Sequence, residues 1–172
     1  MSPRVRRTTV YHCSLERAFK APILGDVRQI HTGFGPMPAV THCTDDADWG
    51  AVGSAKRVHM APTFGFSGGF ASMDRVLARV ENERWTIEVS GFQGWMLGFT
   101  RFVGDWETRA LAPGEVEIVY TYTLHAGAPW LAPLQWLFAH TFWWVYMGRV
   151  LENVRRLAES NGAFPHERPA SP

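Results

Sequence analysis

Charge is scarce in this chain, and its scarcity excludes several kinds of partner. Asp, Glu, Lys and Arg make up 19% of the 172 residues and balance to a formal net charge of +1. Arg4, Arg6 and Arg7 form a short cluster rather than a stripe able to follow a phosphate backbone, so nucleic acid is not expected as a partner. Cysteine is scarcer still. Cys13 and Cys43 are the only two and match neither a CxxC pair nor a zinc-ligand spacing. His12-Cys13 and His42-Cys43 repeat a dipeptide of soft ligands, but strand neighbours point to opposite faces, so each offers at most one ligand toward a common point. No metal or other cofactor is expected. Two thiols without a secretory signal fit a reducing, cytoplasmic location. Long hydrophobic runs are missing too. Residues 118–148 carry no Asp, Glu, Lys or Arg, yet Gly127, Pro129 and Pro133 interrupt them. The remainder, 134–148, contains Gln135 and His140 and falls short of the roughly 20 residues a spanning helix needs.

Aromatic residues, in contrast, are abundant. Eight Trp and eleven Phe exceed what a tight core needs, and large flat side chains line ligand cavities and interfaces. The length suits one domain, expected over residues 1–162, with 163–172 read as a disordered tail.

Local patterns predict a sheet that ends in a helix. Thr8, Thr9, Val10 and Tyr11 are β-prone, and Ser14 is an N-cap for a helix over 15–20, broken by Pro22. A second short helix is expected over 24–30. Strands follow over 40–44, 54–60, 70–81, 85–89, 99–110 and 115–125, separated by Gly-containing or Asn82-Glu83 turns. Gly50 and Gly53 belong to such a turn; without a following Lys-Ser/Thr they do not make a phosphate loop. From Pro133 onward, Met147, Val150, Leu151, Val154, Leu157 and Ala158 recur at helical spacing until Asn161-Gly162.

This order resembles the helix-grip fold of the START domains, bacterial polyketide cyclases and the birch-pollen-allergen family (the SRPBCC superfamily). Thr8-Thr9 leading into 15–26 resembles the pollen-allergen start. Asp74-Arg75-Val76 followed by 85–94 is similar to that family's central hairpin, and Gly50 and Gly53 fall where it has a Gly-rich loop. The resemblance implies an α+β fold, an about seven-stranded curved antiparallel sheet wrapped around a long C-terminal helix, with two short helices after strand 1. It also implies a cavity for lipids, polyketides or aromatic compounds. Some members of the superfamily transport such molecules and others cyclise or dehydrate them, without a fixed catalytic signature.

Alternation then nominates cavity residues. Lys56 shares a strand face with Val58 and Met60, and Asp74 shares one with Val76, Ala78 and Val80. A cation and a carboxylate entering from adjoining strands would perturb each other and orient a ligand, or else form a structural bridge. His140 lies two helical turns before Met147, on the row expected to face the sheet, where an imidazole suits acid–base work. His140, Asp74 and Lys56 are thus the catalytic candidates. Val58, Met60, Val76, Ile87, Val89, Phe102, Trp106, Tyr120, Tyr122, Trp143 and Met147 are the expected ligand-binding wall. Arg101 is expected to face outward. Trp130, Trp136, Trp143 and Trp144 spread around the last helix, so some must meet solvent, a second subunit or a membrane surface. The expected function is binding of a small hydrophobic ligand as a carrier. The alternatives are a polyketide cyclase/dehydrase-like enzyme and a membrane-associated lipid-transfer module.

Overall fold

Val116, Ile118, Tyr120, Tyr122 and Leu124 occupy every second position of one strand, and all five are buried. That alternation is how the sequence builds the sheet. The computed structural model describes residues 2–94 and 96–166. Its strands are β1 (Arg4–Tyr11), β2 (Val40–Asp45), β3 (Ala55–Met60), β4 (Gly69–Val80), β5 (Arg84–Ser90), β6 (Phe99–Ala112) and β7 (Glu115–Ala126). They form one antiparallel sheet in the order β1-β7-β6-β5-β4-β3-β2, so sequential strands from β2 to β7 are neighbours and β1 closes onto β7. Asn82, at φ 62°, makes the tight β4–β5 turn in a conformation that asparagine tolerates.

Two short helices follow β1, and their limits differ from expectation. Helix α1 (Leu15–Leu24) starts at the Ser14 cap and continues through Pro22. Proline there removes only one hydrogen bond near the helix end, and burial of Ile23 and Leu24 offsets that loss. Helix α2 (Val27–Ile30) begins after Gly25 and is capped by Asp26. In β4 a bulge between Val76 and Ala78 resets the alternation and leaves Val80 44% exposed rather than on the inner face.

The C-terminal helix is continuous but not uniform. A 3₁₀ turn (Pro129–Leu131) leads into α3 (Ala132–Phe138), a single π turn (Ala139–Trp143) and α4 (Trp144–Glu159). Its buried row is Gln135, Ala139, Trp143, Met147, Val150, Val154 and Ala158. The Tyr11 hydroxyl donates to the Leu151 carbonyl at 2.6 Å, fixing β1 to α4. Arg17 donates to the carbonyls of Leu157 and Ala158 at 2.9 and 2.8 Å, satisfying the end of the helix. Packing continues past the expected boundary at 162. Phe164 is buried beneath the Arg17 guanidinium, and His166 lies 3.3 Å from the Asp45 carboxylate. Residues 167–172 of the expected tail lie outside the described residues.

Candidate functional site

Between the concave face of the sheet and the terminal helix lies a cavity of about 520 Å³, within the range of small-molecule sites. Its aromatic wall is a chain of contacts. Phe102 and Tyr122 meet the Trp143 ring edge to face at centroid distances of 4.8 and 5.2 Å, and Trp143 leads to Tyr146, Phe142 and Phe34. Tyr122 takes its place because Gly104 stands opposite it on β6. A Cβ there would lie 2.9 Å from the Tyr122 ring.

One end of the cavity is polar. Lys56 on β3 and Asp74 on β4 are cross-strand partners, and both line the space. Lys56 is only 5% exposed, and its ammonium sits over the Trp49 ring, 4.1 Å from the centroid. Trp49 is itself held by donation of its indole N–H to the Ile23 carbonyl at 2.7 Å. A cation–π contact away from water stabilises the ammonium by about 2 kcal/mol. Asp74 Oδ1 is sequestered without a hydrogen-bond partner. Burial pushes the Asp74 carboxyl up to about 6, against the opposing pull of Lys56 and with a further push from Asp45. A second polar pair stands nearby, where His31 Nδ1 and the Tyr146 hydroxyl are 2.7 Å apart. Burial, with help from the Lys56 charge, pushes His31 down to about 4, so its imidazole is neutral at physiological pH. The hydroxyls of Tyr120, Tyr122 and Tyr146 are all pushed up by burial and stay protonated. The arrangement offers hydrogen-bond donors, an ammonium and a carboxylate that titrates near neutrality, all facing an apolar chamber.

Most of the expected residues converge here. Val58, Met60, Ile87, Val89, Phe102, Trp106, Tyr120, Tyr122 and Trp143 line the cavity beside Lys56 and Asp74. Val76 and Met147 do not; they are packed in the core at 0% and 1% exposure. His140 is also elsewhere. It is exposed, its Nδ1 bonds the Trp136 carbonyl at 2.9 Å, and its ring stacks on Trp136. The cause is the π turn, which takes up one extra residue. Counting back from Met147, the sheet-facing position is therefore Ala139 rather than His140. His31 and Tyr146 join the site as well, without a distinct signal in the sequence. Tyr146 stood next to Met147 on the expected face, whereas His31, just past α2, had no periodic signal. Arg101 faces outward and pairs with Glu88 at 3.1 Å. The Gly50 and Gly53 loop is a turn with both glycines at positive φ. A depression of about 660 Å³ on the outer face is lined by Arg6, Arg84, Arg109, Glu107 and Glu117, with Arg109 and Glu117 paired at 2.8 Å. It lacks the apolar walls of the inner chamber.

An open seven-stranded antiparallel sheet gripping a long C-terminal helix is the helix-grip fold that the sequence resemblance implies. Among solved structures, the chain is similar to Ara h 8.0201 (14% identity, TM-score 0.68, covering 94% of this chain and 100% of that one). It is also similar to truncated norcoclaurine synthase from Thalictrum flavum (11% identity, TM-score 0.67, 94% and 96% covered) and to major latex-like protein 151 from Panax ginseng (11% identity, TM-score 0.62, 92% and 99% covered). Likeness at these identities establishes the fold. No protein-family profile and no curated protein matches the chain by sequence. No helix among the described residues is long and apolar enough to cross a membrane.

Proposed function

We propose that the protein binds a small, largely hydrophobic molecule with a polar group in its internal cavity, as a carrier or binding protein. The observation that carries this reading is the chamber of about 520 Å³, walled by aromatic side chains and polar at the end formed by Lys56 and Asp74. The apolar wall supplies affinity through burial, and the polar end sets orientation. Native mass spectrometry of protein purified without detergent tests it, together with titration by anilinonaphthalene sulfonate, a fluorescent probe of apolar cavities. A retained organic ligand or saturable one-to-one probe binding is expected. Absence of both sinks the reading.

A second reading, an enzyme of polyketide cyclase/dehydrase type, is favoured by one feature. Asp74, poised near neutrality, and the His31–Tyr146 pair supply proton acceptors and donors around one chamber. A fold neighbour is named norcoclaurine synthase, and a point mutant of it was solved with a transition-state analogue. Turnover of the retained ligand by wild type but not by Asp74→Asn would move the assignment from carrier to enzyme.

A further inference from the structure

The solvent-facing side of the C-terminal helix changes character along its length. In α4 beyond Gly148 it is charged and internally paired, with Glu152 bonded to Arg155 at 2.6 Å and to Arg156 at 3.2 Å. Before Gly148 it is mainly apolar, with His140 and Thr141 as the polar residues among its exposed positions. Trp130 is 78% exposed, Trp136 54%, Leu137 52% and Trp144 44%, with Leu134 and Val145 beside them. Half of the exposed large apolar side chains among the described residues therefore fall between Trp130 and Val145. Exposed apolar residues scattered singly need no explanation; a contiguous stripe does. Residues 118–148 contain no carboxylate.

We infer that this stripe docks on an anionic lipid surface, lying in the interface without spanning it. Two features of the molecule select lipid over a second copy of the chain. The first is charge. The border of the stripe carries cations, with the Arg7 guanidinium 3.9 Å above the Trp144 ring and Arg149 4.4 Å above Phe34, which stacks on Phe142. A Trp-rich face without carboxylates, rimmed by arginine, matches the headgroup boundary of an anionic membrane, where indoles partition and cations are attracted. The second is the chamber. Phe138 and Phe142 come from the same uncharged segment and line the cavity, as does the fully exposed Phe64 at the tip of the β3–β4 loop. The docking face and the cavity wall are thus two sides of one helical segment. A bilayer docked on this face would lie within one helix thickness of the chamber, a placement that suits a poorly soluble ligand and that a second copy seated there would prevent.

Flotation with phosphatidylcholine vesicles, with and without phosphatidylserine, tests this. Wild type is expected to float with the phosphatidylserine vesicles, and the triple variant Trp130→Ser, Trp136→Ser, Trp144→Ser to lose flotation. All three positions lie outside the cavity wall, so probe binding in the chamber should persist and confirm the fold; this separates failure of docking from failure of the cavity reading. Arg149→Gln, and separately Arg7→Gln, should weaken binding to the phosphatidylserine vesicles about fivefold each. Absence of wild-type flotation, or equal flotation by the triple variant, overturns the inference. A concentration-dependent dimer that the triple variant dissociates, without flotation, assigns the face to a second copy and overturns it equally.

Discussion

Lys56 and Asp74 face one another across β3 and β4, yet the Lys56 ammonium is engaged by the Trp49 ring and Asp74 Oδ1 is left without a hydrogen-bond partner. The pair is therefore a divided one, with the cation satisfied by a π face and the carboxylate held near its protonation midpoint by burial. Such a site responds to pH in a way that an ordinary surface ion pair does not.

The stability of the protein should record this with a definite sign. Asp74 rises from 3.8 to about 6 on folding, so the folded state binds the proton more tightly. Its contribution is complete below about 4 and is lost as pH rises through 6, an effect bounded by about 3 kcal/mol. His31 falls from 6.5 to about 4, so its contribution is complete above 6.5 and is lost as pH falls through 4. The two slopes oppose each other between about 4 and 6. Urea unfolding at several pH values should show Asp74→Asn gaining stability with rising pH relative to wild type, and His31→Asn losing it. Parallel profiles for all three proteins would refute the assignment.

His140→Ala should leave probe binding in the cavity unchanged and alter stability by no more than about 0.5 kcal/mol, because the side chain is exposed and bonds only its own helix. A loss of cavity binding would show that the helix turns differently from the arrangement described.

Tyr122 and Gly104 should behave as a coupled pair. Gly104→Ala places a methyl 2.9 Å from the Tyr122 ring and should cost about 1–3 kcal/mol in thermal or denaturant unfolding. Tyr122→Leu combined with Gly104→Ala should recover part of that loss. An additive double variant would mean that the ring does not rest on the glycine.

Tyr146→Phe removes the partner of His31 Nδ1 in a part-buried site and should destabilise the protein by about 1 kcal/mol. An unchanged stability would indicate that the 2.7 Å contact is not formed in solution.

The parts of the molecule legible in its sequence were those governed by short periods. β-prone runs and turn residues mark the strands, and alternation puts Lys56, Asp74, Tyr120 and Tyr122 on the cavity side, because successive side chains in a strand point to opposite faces. Single-residue irregularities leave no such periodic trace. The bulge between Val76 and Ala78 turned Val80 outward, and the π turn displaced His140. Neither bears a glycine or proline to announce it. His31 joins the site only through the meeting of α2 with α4, a long-range contact that no local pattern records.

The π turn also means that the helix carries one residue more than an α-helical count requires between Gln135 and Met147. Removing one codon from the stretch 139–143, at either His140 or Thr141, would let the turn relax to α geometry while Gln135 keeps its bond to the Leu97 carbonyl. A deletion inside a helix ordinarily rotates everything before it by about 100°. Here it would rotate nothing, so the segment tolerates one frame-preserving loss that would misalign a regular helix, while a second loss would turn Gln135 away from the chamber side.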